Sequence, residues 1–404
     1  MKKSLILAAG LLAASFTADA QVQLPDSVKG NQPLNTASSI VAQQSSRKVT
    51  FGCYGQMEFN QQFNDSVRHN GLLDVHRLVT FFGYKFNDRT DFVTEVEFEH
   101  VNEAAVEQAF VNYRVLPWMS VRAGLLLIPM GIINEYHEPT TFNGSSRPNL
   151  DKSIVPATWR EMGAGITGSF SQYSLRYQLY TVNGFSGYNG GGKLGGADGL
   201  RGGRQKAIKS FITAPDYSAK LDYYAVPGLK IGLSGYFGES ESKLKDGLLI
   251  DDSTGTTQAR LDSSMVGISM LGVDVRYQFK GIEARAQYNL SNLSNTGAYN
   301  KFTGKDLGAK MNGFYVEAGY NFLQPLETEK RLVLFARYED YDTHAAVTSE
   351  ITRNKAYHRS ELITGIGFWP AQGAVFKADY QYTKTAADND VPKHFINLGV
   401  GVWF

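Results

Sequence analysis

The 404-residue chain has one cysteine, no long apolar run beyond its N-terminus and no excess of charge of either sign. The single cysteine, Cys53, excludes an internal disulfide framework. No later segment approaches the roughly 18 consecutive apolar residues that a membrane-spanning helix requires. The 40 basic and 39 acidic side chains nearly balance, which gives no support to a nucleic-acid partner. These absences exclude a disulfide-stapled domain and a helical membrane protein.

Aromatic residues and glycine are abundant, with 24 Phe, 22 Tyr and 41 Gly, a mixture that suits strands and turns. Apolar and polar residues alternate over many segments: Ile282, Ala284 and Ala286, for example, alternate with Glu283 and Arg285. Such alternation predicts strands with one apolar and one polar face. The segments that show it are 48–61, 74–86, 91–100, 104–116, 118–127, 161–170, 172–182, 213–225, 228–238, 265–279, 281–291, 311–323, 331–341, 358–369, 373–384 and 393–404. The sequence therefore predicts sixteen strands.

The connections between these segments alternate in length. The short ones are 87–90, 116–117, 170–172, 226–227, 280–281, 324–330 and 370–372, and the long ones are 128–160, 183–212, 239–264, 292–310 and 342–357. This sorting, with an even strand number, predicts an all-β fold: a 16-stranded antiparallel transmembrane β-barrel with short periplasmic turns and long external loops. Trp118 and Trp369 stand at two short turns, where we expect their rings at the periplasmic headgroup level.

The N-terminus has the layout of a secretory signal peptide. Met1-Lys2-Lys3 is a basic start, Leu5 to Phe16 is a short apolar core, and Ala18-Asp-Ala20 offers small residues before a cleavage site. We expect residues 1–20 to be removed and residues 21–47, rich in Gln, Ser and Asn, to form a flexible periplasmic leader. The barrel then occupies residues 48–404. This organisation predicts a protein of the cell outer membrane of Gram-negative type, surrounded by outer-membrane lipid.

The C-terminal run from His394 to Phe404 also alternates. Its apolar residues are Ile396, Leu398, Val400, Val402 and Phe404. An apolar strand of this kind would be an exposed edge unless it paired with the first strand and closed a barrel. The run resembles the C-terminal assembly signal of outer-membrane barrel proteins, in which a terminal Phe follows alternate apolar residues.

If the apolar residue at every second strand position faces lipid, the intervening positions place charged side chains of both signs in the lumen. The pore-lining or constriction candidates are Arg77, Glu95, Glu97, Arg114, Arg122, Glu135, Glu138, Arg147, Lys152, Arg176, Arg276, Arg285, Arg337 and Lys377. Because unpaired charges in a dry core are costly, such a lumen must be hydrated. We expect a porin that lets small hydrophilic solutes or ions diffuse passively. The alternative is that the charges pair and fill a structural or complex-forming barrel that docks a partner.

The proline-rich segment of about 128–160 carries a more specific resemblance. Arg122-Ala-Gly-Leu-Leu-Leu-Ile-Pro-Met-Gly131 is similar to the Arg-x-Gly…Pro-Phe-Gly stretch of the phosphate-selective porin O and P family. Pro156-Ala-Thr-Trp-Arg-Glu-Met-Gly-Ala-Gly165 is similar to the segment that follows it. The resemblance implies a sixteen-stranded, homotrimeric porin whose segment 128–160 folds inward. It does not imply phosphate selectivity, because that property rests on a one-sided arginine ladder and this lumen mixes both signs.

Motifs for catalysis and metal binding are missing. The seven histidines are scattered, with no pair at metal-ligand spacing, and no Gly-x-Ser-x-Gly elbow occurs. Cys53 falls on the apolar face of its strand, where a thiol acts as an apolar filler. Glu135 and Glu138 could attract a cation, but we interpret them as part of a solvated loop. We therefore expect no enzymatic activity, no cofactor and no metal centre, and keep a barrel protease or phospholipase as the rival hypothesis.

Overall fold

A computed structural model describes residues 48–63, 67–248, 255–326 and 328–404, together with Asn35, Ala37 and Ser39. Sixteen strands form one sheet: β1 (Val49–Phe63), β2 (Leu72–Asn87), β3 (Thr90–Glu99), β4 (Glu103–Leu116), β5 (Met119–Leu127), β6 (Arg160–Phe170), β7 (Leu175–Val182), β9 (Asp216–Tyr223), β10 (Leu229–Glu239), β12 (Gly267–Phe279), β13 (Ile282–Ser294), β14 (Lys310–Asn321), β15 (Arg331–Ala346), β16 (His358–Ala371), β17 (Ala374–Thr385) and β18 (Lys393–Trp403). Two short strands, β8 (Ser186–Tyr188) and β11 (Glu241–Ser242), pair in parallel outside that sheet.

Short helices lie in the connections. The α-helices are α1 (Leu150–Ser153), α2 (Thr256–Asp262) and α3 (Thr296–Thr303), and the 3₁₀ turns are Ser171–Tyr173, Arg201–Gly203, Lys243–Lys245, Gln324–Leu326 and Lys355–Tyr357. None of the described helices is both long enough and apolar enough to cross a membrane.

The large sheet is a closed antiparallel barrel in which each strand pairs with its neighbours in chain order. Short turns make these pairings at one end: β12 and β13, for example, are joined by Lys280 and Gly281 alone, both with positive φ. Two-residue hairpin turns with positive φ match the right-handed twist of the strands, and glycine adopts that conformation without steric cost. The long connections all lie at the other end of the barrel.

Period-two alternation places apolar side chains outside and polar or tightly packed ones inside. On β12, Leu271 and Val273 are exposed on the outer surface, whereas Met270 and Asp274 are buried on the inner face. The same pattern repeats around the barrel, so its outer surface is a band of exposed apolar side chains. Packing on only one face of each strand explains why the sequence pattern predicts the strands well.

The first and last strands close the barrel. Ten residue pairs join β1 to β18, from Tyr54 opposite Trp403 to Phe63 opposite His394. Beyond β18, Cys53 and the terminal Phe404 exchange two backbone hydrogen bonds of 2.9 Å. The expectation that the C-terminal run pairs with the first strand is therefore confirmed, and the closed sheet leaves no free edge.

The sixteen-strand prediction is confirmed, and most strand ends fall within a few residues of the sequence pattern. The largest difference is in β15, which continues to Ala346 where the alternation ends at residue 341. Residues 342–344, near its loop end, are buried against other loops: Thr343 Oγ1 donates to the Gly196 carbonyl, and His344 Nε2 contacts the Asp306 carbonyl at 2.5 Å. Burial on both faces removes the alternation that would have identified them.

The two tryptophans at short turns behave differently. Trp118 is 42% exposed and stacks on Phe170, with ring centroids 5.3 Å apart. Trp369 is only 1% exposed, because it is at an inward-facing position of β16. Its ring packs with Val333 and lies beneath the Arg331 guanidinium. The expectation of an outward interfacial ring at Trp369 is therefore wrong.

The expected signal peptide, residues 1–20, lies outside the described residues, as does most of the expected leader. Two of the leader residues that the structure describes, Asn35 and Ala37, are buried. Ala37 belongs to the buried apolar cluster inside the barrel, and Asn35 Nδ2 lies 3.5 Å from Glu135 Oε1. At this point the chain that precedes β1 touches the barrel interior.

A cysteine pair across the closing seam tests the register. Asn60 and Asn397 are directly opposite each other on the inner face of β1 and β18, so Asn60→Cys with Asn397→Cys, in a Cys53→Ala background, should form a disulfide under oxidising conditions. Non-reducing gel electrophoresis of the heat-denatured protein should show a circularised, faster-migrating species that reduction abolishes.

The matched control pairs Asn60→Cys with Gln381→Cys. Gln381 faces the same side but lies on β17, which β18 separates from β1. Equal crosslinking of the control pair, or none in the test pair, would contradict the closure.

Candidate functional site

The connection between β5 and β6, residues 128–159, folds into the barrel; we call it the inner segment. Its buried apolar side chains are Ile128, Met130, Ile132, Ile133, Phe142, Leu150, Ile154, Val155 and Trp159. They pack in one cluster with inward-facing wall residues such as Phe81, Phe110 and Tyr315. Burying a side chain of this size contributes about 1.5–3 kcal/mol. The inner segment therefore carries an apolar core into the barrel instead of lying over it as a solvated loop.

Asn134 ties the two ends of the inner segment together. Its Nδ2 donates to the Ile128 carbonyl at 2.7 Å and to the Trp159 carbonyl at 2.8 Å, while its Oδ1 accepts from the Trp159 amide at 2.7 Å. The Ile128 amide also donates to the Trp159 carbonyl at 3.0 Å. Because one buried amide satisfies three backbone groups, the segment leaves and re-enters the wall at a single fixed point.

Polar wall side chains hold the backbone of the inner segment from many sides. Carboxylates of the wall accept from its amides, and cations of the wall donate to its carbonyls. The contacts, given from donor to acceptor, are Leu150 N to Glu339 (3.0 Å), Ser145 N to Asp379 (2.6 Å), Ile132 N to Gln287 Oε1 (2.7 Å), Lys220 to Gly131 O (2.7 Å), Lys377 to Phe142 O (2.6 Å) and Gly144 O (2.8 Å), Arg285 to Thr141 O (2.9 Å) and Gln56 to Ser145 O (3.1 Å). Side-chain bonds from Asn143 to Glu317 (3.1 Å) and from Asn149 to Glu361 (2.9 Å) add to them.

One buried ion pair joins the inner segment to β9. Lys220 Nζ lies 2.8 Å from Glu135 Oε2, and Gln178 donates to Glu135 Oε1 at 2.7 Å. Burial favours the neutral carboxyl, but the charges of Lys220 and Arg176 outweigh it and lower the pKa of Glu135 to about 2. Lys220 also lies 3.5 Å from Asp274, so one cation serves two carboxylates.

A second group of charges pairs along the wall itself. Arg337 lies between Glu317 (3.3 Å) and Glu339 (2.8 Å), and Arg285 Nε reaches Glu317 at 3.0 Å. Arg276 lies over the Tyr136 ring of the inner segment, with its guanidinium carbon 4.2 Å from the ring centroid. The inward charges thus balance locally, and a buried charge that has partners avoids most of its desolvation cost.

The third polar group lies where the inner segment meets β3 and β4. His137 Nε2 is 3.2 Å from Glu107 Oε2 and 3.8 Å from Glu95 Oε2. Burial disfavours the imidazolium, but the adjacent Glu107 carboxylate more than compensates and raises the pKa of His137 to about 9. Tyr54 donates to the same carboxylate at 3.1 Å.

Alternation alone misses Glu107 because β4 is irregular there. Glu95 is opposite Gln108, but Val96 is opposite Val106, so Glu107 is the extra residue at a register shift. Both Glu107 and Gln108 are consequently buried on the inner face. Two consecutive polar residues inside a strand segment are the only signal in the sequence, and they do not say which of the two turns inward.

Most of the other candidates from the sequence lie inside the barrel. Glu95, Glu97, Arg77, Arg122, Arg176, Arg337, Lys377, Glu135 and Glu138 are buried, and Arg276, Arg285 and Arg147 are partly buried. Arg122 is bound to Asn112 Oδ1 at 3.0 Å and lies over Phe110, on the wall. Arg114 is apart from the group, because its guanidinium contacts the Asp88 carbonyl at the β2–β3 turn. Lys152 is exposed within the barrel, on the surface of α1.

Open space remains beside the inner segment. Ser146 and Lys152 are exposed on it, and Ser146 Oγ lies 3.4 Å from Glu58 Oε2 of β1. Above it, the external loops pack on one another. Tyr299 of α3 donates to the Gly187 carbonyl at 2.8 Å and accepts from the amides of Lys193 and Leu194 at 3.0 Å. The external loops therefore contact one another at this end of the barrel.

Removing Lys220 tests how the inner segment is docked. Lys220→Met leaves Glu135 buried without its cation, so we expect a loss of about 3–5 kcal/mol in the free energy of unfolding. Lys220→Met with Glu135→Gln should recover part of that loss, because Glu135 is then neutral, while Asp274 loses Lys220 and keeps Arg276 at 3.8 Å. Urea unfolding of the refolded protein, followed by tryptophan fluorescence, measures both. Additive losses in the double variant would contradict the pairing.

Solved structures with the same architecture are outer-membrane channels. A structure described as the anion-selective porin from Comamonas acidovorans has a TM-score of 0.55, with 10% identity, and the match covers 88% of this chain and 99% of that one. The outer membrane channel DcaP of Acinetobacter baumannii has a TM-score of 0.57, with 12% identity, covering 90% of this chain and 99% of that one. At such identity these matches establish the fold alone, and they do not single out the phosphate-selective porin family.

Sequence comparison identifies one relative. No protein-family model matches the chain. A protein of Aquifex aeolicus (strain VF5), described only as uncharacterized, is 31% identical over 382 residues, which cover 92% of this chain and 84% of that protein. Identity of that level over nearly the whole length shows common descent, and the chain belongs to the family of this Aquifex aeolicus protein.

Proposed function

We propose that this protein is an outer-membrane porin that lets small hydrophilic solutes or ions diffuse passively, and that it has no enzymatic activity. The observation that carries the proposal is the closed barrel whose outer face is apolar and whose inner face is charged. An outer apolar band with a polar interior is the arrangement that a transmembrane barrel requires. The likeness in fold to an anion-selective porin and to an outer membrane channel supports the same conclusion.

The inner segment would set the width and the charge of the path. Its backbone is bound to several strands of the wall, so solutes would pass beside it and not through an open cylinder. Charges of both signs border that space, including Lys152 and Glu58 on the external side and Arg276 and Arg285 on the turn side. We therefore expect a narrow path with weak ion selectivity. A homotrimer is part of the proposal and rests on the resemblance of residues 122–131 and 156–165 to a trimeric porin family.

One observation favours a second candidate function. Wall residues on opposite sides of the barrel, such as Lys220, Glu339 and Asp379, are almost completely buried by the inner segment. A barrel filled in this way could serve as a structural or complex-forming protein that docks a partner through its external loops. In that case the inner segment stabilises the barrel and no solute passes.

Conductance separates these two functions. Tag-free protein refolded into planar bilayers should give stepwise current increments, because even a narrow hydrated path conducts ions. Heat-dependent mobility in electrophoresis should first show that the refolded sample contains the closed barrel. Insertion of folded barrels without current steps would contradict the porin and leave the partner-docking barrel.

A charge reversal at Lys152 tests whether the path runs beside the inner segment. Lys152→Glu should move the reversal potential in a salt gradient towards cation preference, since the side chain is exposed within the barrel. Lys330→Glu makes the same change in charge at an exposed β14–β15 turn, outside the barrel, and should leave the potential unchanged. Equal shifts in both variants would place the conducting path elsewhere.

A further inference from the structure

Two carboxylates and one imidazole meet in a buried pocket between the wall and the inner segment. Glu95, Glu107 and His137 are at most 2% exposed, and their ligating atoms all lie within 4.8 Å of one another. His137 Nε2 has the Glu107 carboxylate 3.2 Å away, but Glu95 Oε2 and Glu107 Oε1 have no hydrogen-bond partner among the described residues. Buried polar atoms are nearly always hydrogen-bonded, so two unpartnered carboxylate oxygens beside one imidazole are consistent with a further group at this point.

The histidine is oriented as metal ligands are. Its Nδ1 lies 3.3 Å from the Asn134 carbonyl, which leaves Nε2 directed at the two carboxylates. Asn134 is itself fixed by its bonds to Ile128 and Trp159. Tyr54 donates a hydrogen bond to Glu107 Oε2 at 3.1 Å. Such outer contacts, a backbone carbonyl on the second ring nitrogen and a donor on the carboxylate, are typical of protein metal sites.

The irregularity in β4 brings the third ligand into place. Without the register shift at Val96, either Glu107 or Gln108 would face outward, and only one of them could reach the interior. Strand irregularities of this kind often redirect a side chain at a functional site. Here the shift directs a second carboxylate at His137.

We propose that Glu95, Glu107 and His137 bind a divalent first-row transition-metal ion, Zn²⁺ or Mn²⁺, which fastens the inner segment to the barrel wall. Metal bonds of about 2.0–2.2 Å place tetrahedral ligand atoms roughly 3.4 Å apart. The 3.2 Å and 3.8 Å separations at His137 Nε2 therefore need only small side-chain movements. Imidazole together with carboxylates suits these ions better than it suits Mg²⁺ or Ca²⁺.

Charge balance supports an ion at this point. Two arginines lie near these carboxylates, and each has another partner: Arg77 pairs with Glu97 at 3.1 Å, and Arg147 donates to the His137 carbonyl at 3.0 Å. A divalent ion would neutralise the two carboxylates of the site directly. Because two ligands belong to the wall and one to the inner segment, the binding free energy of the ion adds directly to the docking of that segment.

A second group of possible ligands must be removed before the site can be measured. Asp74, His76 and His100 lie together at the external end of β2 and β3, with Asp74 Oδ2 2.7 Å from His100 Nδ1. These residues are partly or fully exposed and already pair with one another. His76→Gln with His100→Gln therefore serves as the background for every sample.

Metal analysis then tests the buried site. Tag-free background protein is refolded with Zn²⁺, freed of excess ion by gel filtration, and its zinc is measured by mass spectrometry. We expect one zinc per chain, a loss of at least tenfold in affinity in Glu107→Gln and in Glu95→Gln, and full retention in Glu103→Gln. Glu103 is an exposed carboxylate at the start of the same strand, so it is the matched control.

A second readout reports the link to the inner segment. Zinc should protect residues 128–159 from limited proteolysis in the background protein but not in Glu107→Gln. The proposal is overturned if the folded background protein retains no zinc, or if Glu107→Gln and Glu95→Gln retain as much zinc as Glu103→Gln. If one of the two glutamine variants fails to refold, the other variant and the zinc content of the background protein still test the proposal. None of these measurements depends on conductance, so a failure of the metal-site proposal can be distinguished from a failure of the porin proposal.

Discussion

The pairing of the first strand with the last is the constraint on which the rest of the structure depends. Cys53 and Phe404 exchange backbone hydrogen bonds, and ten further residue pairs continue the seam. Because the sheet is closed, it has no edge, and every strand divides its side chains between an outer surface and a bounded interior. The interior of a sixteen-stranded barrel is too large for wall side chains alone to fill. What enters that space then determines what the protein does.

The inner segment is what enters it, and it combines two kinds of packing. Its apolar residues form a core with wall aromatics, while its backbone groups bind wall carboxylates, lysines and arginines. The inward charges therefore serve the structure in two ways: some hold the segment, and others pair with a neighbour. This dual use explains why the lumen mixes both signs. A one-sided ladder could not satisfy both the amides and the carbonyls of the same segment.

The strands could be predicted from the sequence, because each has one face in contact with protein and the other exposed. The alternation in β13, from Ile282 to Ala286, illustrates this, and the inward charges Arg285 and Arg337 follow from it. The prediction fails where that condition fails. Residues 342–344 of β15 are buried by loops, Trp369 is directed inward, and Glu107 is redirected by a register shift. In each case, contacts with another part of the chain determine which side chains are buried, and the two-residue alternation no longer does.

The sequence by itself determined the all-β class and the strand number, since these depend on local alternation and on connection length. That residues 128–160 fold inward was implied by the family resemblance. Only the tertiary structure decided what that segment touches. Ser145 binds Asp379 and Asn143 binds Glu317, partners that are 234 and 174 residues apart in the chain. The meeting of His137 with Glu95 and Glu107 is of the same kind. Closing the barrel places residues of distant strands at the same height along its axis. No pattern along the chain predicts which inward side chains then face each other.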